Sequence, residues 1–233
     1  MQRAAGAATL ALVLASCAPA APAVTVHLSL EAPSRPDVEA PIRNALGIVD
    51  LESWPLFVAL HVHGPGMEEP LLAEWPESPQ DWQDGMAEIE FSLDVPAGKS
   101  RILSTAAFRR VADKSYCYLP VPPETVLDLD SDSPANLDLV LAETAYGSAA
   151  VSLPAGIAEL WLVDATDLVL LDRRPPVEDF VKFTRVPVAR PMRLAVVDGD
   201  GNATLPDLEP FTLDQAKPEM SLDVSDAALL TNR

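Results

Sequence analysis

The sequence predicts an all-β protein, an antiparallel β-sandwich built as two small tandem sandwich domains. Three observations predict it. Apolar and polar residues alternate in short runs along most of the 233-residue chain. The 23 prolines, about twice the usual ~5%, are spread along the chain rather than clustered. Gly-Pro-Gly and Pro-Ala-Gly breaks separate the runs. A period of two places one face on a core and leaves the other wet. Dispersed proline disfavours long helices.

In chain order, Val24, Val26, Leu28 and Leu30 share one face of a first strand. Residues 38–46 are expected to form a short helix. Leu56, Val58, Leu60 and Val62 define the next strand, which Gly64-Pro65-Gly66 ends. Residues 67–85 read as a long loop carrying proline and tryptophan. From 86 to 95, Ala87, Ile89, Phe91, Leu93 and Val95 oppose Glu88, Glu90, Ser92 and Asp94. Pro96-Ala97-Gly98 turns the chain into a strand over 101–108, and Leu137, Leu139 and Leu141 repeat the alternation. A second set begins with Ala149, Val151 and Leu153, turns at Pro154-Ala155-Gly156, and continues through 158–163, 168–171, 192–196 and 220–224. Short strands at this spacing suit a sandwich. The Pro-Ala-Gly turn occurs once in each set, a short internal repeat. The expected domains are 24–144 and 145–226, with a tail at 227–233; one continuous sandwich is the alternative.

The N-terminus reads as a processing signal. Arg3 is the only charge in the first 30 residues, and an apolar run over 7–15 follows it. That run is far short of the roughly 20 residues a spanning helix needs, but it suits a secretory signal. It ends in Leu14-Ala15-Ser16-Cys17, which resembles the lipobox of bacterial lipoprotein precursors. The resemblance implies cleavage of a 1–16 signal peptide, lipidation of Cys17, and sorting to the outer membrane because Ala18, not Asp, follows. Residues 17–23 then form a lipidated tether too rich in Ala and Pro to build a core. More than one acyl chain anchors stably, at about 0.8 kcal/mol per buried CH₂. Residues 92–103, Ser-Leu-Asp-Val-Pro-Ala-Gly-Lys-Ser-Arg-Ile-Leu, also resemble a strand–turn–strand of immunoglobulin-like or prealbumin-like modules in bacterial surface lipoproteins. That resemblance implies a sandwich and no activity.

Charge narrows the partners. The net charge is −19, from 16 basic and 35 acidic residues. Phosphate repels such a chain, which argues against nucleic acid as a partner, and anionic lipid does the same, so membrane attachment falls to the anchor. A protein or glycan partner in the envelope, on the periplasmic or surface side, fits the expected address. Of the two cysteines, Cys17 is expected to be lipidated and Cys117, between Tyr116 and Tyr118, to be buried as a small hydrophobe.

Candidate sites are few. Asp198, Asp200, Asn202 and Glu209 stand at positions 1, 3, 5 and 12 of a calcium-loop spacing, where alternate oxygens converge on a hard cation. Ala203 replaces the expected Gly, Pro206 interrupts the loop, and the flanking helices are missing, so an Asp- and Gly-rich turn is the competing reading. Asp128, Asp130 and Asp132 form a second acidic alternation, read as a solvated strand edge. His27, His61 and His63 would form a transition-metal site if their strands pair. Trp75 and Trp82 would stack on a sugar if exposed, or cover a sandwich end if folded back. No other cofactor is expected. The sequence lacks a Gly-x-Ser-x-Gly elbow, a His-Glu-x-x-His and a phosphate-binding Gly loop. The expected function is therefore a non-catalytic structural or interaction module, with a calcium- or carbohydrate-binding module and an unrecognised enzyme as alternatives.

Overall fold

The computed structural model describes residues 22–30, 42–78, 81–82, 88–130 and 134–224. Cys17, the signal and tether residues up to 21, positions 38–41, Asp132 and the 227–233 tail lie outside them. Eighteen strands are present among the described residues. In chain order they are β1 (Ala23–Ser29), β2 (Val49–Asp50), β3 (Leu56–His63), β4 (Leu71–Trp75), β5 (Glu88–Asp94) and β6 (Gly98–Val111). Then come β7 (Lys114–Pro120), β8 (Glu124–Leu129), β9 (Ala135–Leu139), β10 (Leu141–Glu143), β11 (Tyr146–Ser152) and β12 (Ile157–Asp164). The last six are β13 (Val169–Arg174), β14 (Phe180–Pro187), β15 (Pro191–Asp198), β16 (Ala203–Thr204), β17 (Phe211–Thr212) and β18 (Glu219–Asp223). Among the described residues no helix is long and apolar enough to cross a membrane.

The strands make four sheets. The first half of the chain forms β5-β1-β9 and β10-β7-β6-β3-β4, with β8 also on β6. The second half forms β14-β11-β18 and β16-β15-β12-β13, the latter completed at its edge by β2 of the first half, with β17 also on β15. The sheets change over between Glu143 and Tyr146. Alternation explains the core: Val24, Val26 and Leu28 of β1 and Leu56, Val58, Leu60 and Val62 of β3 are all buried, as expected for the inner faces of packed sheets.

The two halves repeat one connectivity. β1 lies between antiparallel β5 and parallel β9; β11 lies between antiparallel β14 and parallel β18. β3 lies between β4 and β6, and β12 between β13 and β15. The Pro-Ala-Gly turns do not mark this repeat. The one at 96–98 joins β5 to β6, and the one at 154–156 joins β11 to β12. The counterpart of the first is Val188-Ala189-Arg190, between β14 and β15.

Two local expectations are corrected. The described part of 38–46 is a bend, a bridge and a turn, not helix. Asn44 Oδ1 accepts the backbone N–H of Leu46 and Ile48, and Gly47 takes φ +76°. A side-chain oxygen bonding nearby N–H groups competes with helix. The 67–85 loop contains β4, which pairs with β3 from Val58↔Trp75 to Val62↔Leu71. Proline and tryptophan at its edges hid a five-residue strand.

The halves share one buried cluster of apolar side chains. They also share a strand: β2 lies between β1 and β3 in the chain but pairs in parallel with β13, matching Val49 to Val169 and Asp50 to Leu170. Ile48, beside it, is buried with Val163, Leu170 and Ala195. This explains why β3 departs from simple alternation. Phe57 and Ala59, on the face expected to be wet, are fully buried, because the second half covers that face of the sheet.

Candidate functional site

The covered face carries the densest polar chemistry of the described residues. Two turns of the second half point at it. In the turn after β12, Asp164 Oδ1 accepts the backbone N–H groups of Thr166 (3.0 Å) and Asp167 (2.9 Å). That is ordinary Asx-turn chemistry, and it fixes both carboxylates. In the turn before β15, Ala189 adopts φ +62°, a left-handed conformation that non-glycine residues seldom take. Its N–H donates to Leu213 O at 3.0 Å. The strained turn delivers Arg190.

Arg190 clamps both aspartates. Its Nε and Nη2 donate to Asp164 at 2.9 and 2.7 Å, and Nη2 also reaches Asp167 Oδ2 at 2.8 Å. Its guanidinium lies 5.6 Å from the centre of the Phe108 ring in β6. Asp167 Oδ1 is 2.6 Å from His61 Nε2, on β3 of the other half. Asp164 and Asp167 are buried. Burial is the largest influence on Arg190 and opposes its charge, but Asp164 and Asp167 outweigh it and hold the guanidinium firmly protonated. Burial raises the Asp164 carboxyl, while Arg190 pulls it back. Cys117 is buried beside this group, as its aromatic neighbours suggested, and burial drives its thiol well above the ordinary range.

A second arginine extends the seam. Arg43 donates to Gly47 O (2.6 Å) and Asp167 O (3.0 Å), pairs with Glu74 of β4, and lies 5.3 Å from the Phe57 ring centre. Arg185 of β14 stacks on Tyr146 and Tyr116, 3.9 and 4.6 Å from their ring centres. The Tyr146 hydroxyl accepts the Cys117 N–H at 2.8 Å. Chemically the arrangement is a set of satisfied ion pairs joining two sheets. None of Asp164, Asp167, Arg190 or Arg43 stands out in the sequence. Asp and Thr in a turn are commonplace, and the partners these residues find beyond their own turns lie 23 to 124 residues away.

The residues singled out from sequence are placed elsewhere. Asp198, Asp200 and Asn202 form the hairpin between β15 and β16. Asp198 Oδ1 accepts the N–H of Asp200 (3.0 Å) and of Asn202 (2.9 Å), and Oδ2 accepts Asn202 Nδ2 at 3.1 Å. N–H donors thus crowd the oxygens that a cation would need. Glu209 instead lines an apolar cleft with Leu194, Leu208, Phe211 and Leu222. Among the described residues, no group of three or more His, Cys, Asp or Glu side chains is arranged to hold a metal.

The exposed-tryptophan expectation is corrected. Trp82 is 1% exposed and Trp75 9%. Their ring centres are 5.1 Å apart, and Trp54 lies 6.0 Å from Trp82. The folded-back alternative holds, because these rings close the core beside β4. The histidine cluster is also corrected, because β1 and β3 belong to different sheets. His27 is 3.6 Å from Glu90, and His61 faces the second half. Arg101, not anticipated, is buried and donates to Pro65 O (2.5 Å), Pro96 O (2.9 Å) and Ala97 O (2.8 Å). It ties the Gly64-Pro65-Gly66 turn to the Pro-Ala-Gly turn, and a Cβ on Gly98 would collide with its guanidinium.

No protein-family model and no curated protein matches the sequence. Among solved structures, the chain is similar to a streptococcal ancillary pilin, at 10% identity and a TM-score of 0.26, covering 88% of this chain and 63% of that one. It is also similar to the E269A mutant of the shaft pilin SpaA from Lactobacillus rhamnosus GG, at 8% identity and a TM-score of 0.22, covering 88% and 98%. Similarities this low assign neither function nor partner.

Proposed function

We propose that this chain is a membrane-anchored envelope lipoprotein acting as a non-catalytic structural or interaction module. Leu14-Ala15-Ser16-Cys17 supplies the anchor, and Ala18 directs it to the outer membrane. The observation that carries the reading is the distance from Cys17 to the fold. Pro22 O already accepts the Val95 N–H at 3.1 Å, so four residues, 18–21, stand between the anchor and the sandwich, five Cα–Cα steps in all. Fully extended, those five steps reach about 17 Å. The anchor thus holds the sandwich close to the bilayer, and its partner is a protein or glycan of the envelope met at the loops.

The non-catalytic part of the reading rests on how the buried ionisable groups are used. Asp164, Asp167, Arg190 and Arg43 are engaged with one another and with backbone across the seam. Groups committed in this way serve cohesion. Cys17→Ser is expected to abolish acylation and release the chain from the membrane fraction. Mass spectrometry of the mature N-terminus, with fractionation, checks this; an unchanged mature mass and unchanged membrane retention would refute the anchor.

A further inference from the structure

The repeat shared by the two halves breaks at one place. In the first half the chain leaves β9 and crosses at once to the larger sheet. Val140 O accepts the Val121 N–H at 3.1 Å, and β10 pairs with β7, Leu141 opposite Pro120. Leu141 packs against the common core. The crossing passes where β7 gives way to β8 along β6, and it closes the gap between the two sheets there. In the second half β18 corresponds to β9, β16 to β7 and β17 to β8. No described residue takes the part of β10, and β16 ends its sheet.

A cleft stands where that crossing would be. It lies where β16 gives way to β17, and Leu194, Leu208, Glu209, Phe211, Leu222 and Val224 line a space of about 100 Å³. Leu208, Phe211 and Leu222 pack against the core but stay only partly buried. A water takes about 30 Å³ in the liquid and needs polar partners, which an apolar wall lacks. The cleft therefore suits an aliphatic side chain. The chain itself leads there. The Val224 N–H donates to Ser152 O at 3.0 Å, which holds the end of β18 at the rim of the cleft. Residues 225–233, outside the described residues, follow directly, and they include the apolar run Ala227-Ala228-Leu229-Leu230. Five or six residues span up to about 20 Å, so both leucines are well within reach of the cleft.

We propose that segment 225–231 is the counterpart of β10: it crosses from β18 to the β16–β17 edge and seats Leu229 or Leu230 among Leu208, Phe211 and Leu222. The occupant of the groove is then this same chain, and the second sandwich is closed as the first is. The groove is thereby withdrawn from the surfaces open to a partner, since exposed apolar patches are the ones that bind. This seating does not depend on the lipid anchor.

The test is nuclear magnetic resonance on the purified full chain. Contacts from the Leu229 or Leu230 methyls to the Phe211 ring are expected, with amide exchange at 227–230 slowed about tenfold or more against a free peptide of 225–233. Phe211→Ala should abolish that protection while leaving β12 protected. In the double variant Leu229→Asp, Leu230→Asp the melting midpoint should fall by several degrees. Anilinonaphthalene sulfonate, which the parent should not bind, should then enter the opened cleft. Should Phe211→Ala unfold the chain, the methyl contacts in the parent decide. Free-peptide exchange rates at 227–230, or dye saturating this cleft in the parent, would overturn the proposal. So would leucine–Phe211 contacts found only between chains in a mixture of differently labelled copies, which would assign the groove to a second copy.

Discussion

At the residue scale, Cys117 shows how the seam alters ordinary chemistry. Its thiol is raised first by burial, against which the nearby Arg190 pulls weakly. An unfolded cysteine ionises near about pH 8.5. Below that, both states hold the proton and the folded state keeps its full advantage. Above it, the unfolded state ionises while the folded thiol stays neutral, so stability falls by about 1.4 kcal/mol per pH unit. Tyr146, also raised chiefly by burial, adds a second loss from about pH 10. Urea midpoints between pH 7.5 and 9.5 should therefore decline in the parent and stay nearly flat in Cys117→Ala. An equal decline in both would show that the thiol is not the source. The burial of Cys117 was legible from Tyr116 and Tyr118. Its charged neighbours were not, because pairing across sheets leaves no period in the sequence.

At the element scale, the same spacing can describe a metal loop or a self-sufficient turn, and hydrogen bonds distinguish them. The 198–204 segment brings Val197 opposite Ala203 and Val196 opposite Thr204. Gly201, at φ +83°, supplies the left-handed residue that such a turn needs. Asp198 then caps the turn through the N–H groups of Asp200 and Asn202. Asp198→Ala should cost about 1–3 kcal/mol, the usual range for losing charge-assisted bonds. The loss should be the same in EDTA and in millimolar calcium. A calcium-dependent rise in the parent melt that vanishes in Asp198→Ala would instead restore the cation-loop reading. The strongly alternating strands were legible because one face of each meets its own core. β4, β7 and β14 were not: proline, aromatic and charged residues blur their period, and each is recognisable only from the strand beside it.

At the scale of the whole molecule, the repeated connectivity would allow two independent sandwiches, yet three features bind them. β2 completes a sheet of the other half, a common apolar cluster runs through both, and Arg190 holds Asp164 and Asp167 against the first half beside His61. The sequence pattern favoured two tandem units because alternation reports strands and their own cores, not what covers an outer face. Energetically, the last feature has the clearest consequence. Removing one member of a buried ion pair leaves an uncompensated charge, typically costing about 3–5 kcal/mol. Arg190→Met removes the cation but keeps an apolar chain near Phe108. The parent chain should unfold in one transition seen alike by far-UV circular dichroism and tryptophan fluorescence. Trp54, Trp75 and Trp82 report the first half, and Trp161 the second. In Arg190→Met the seam should fail before the sheets, so the two probes should separate into non-coincident transitions, the first at lower urea. A single transition at the parent midpoint would mean that β2 and the apolar cluster alone unite the halves.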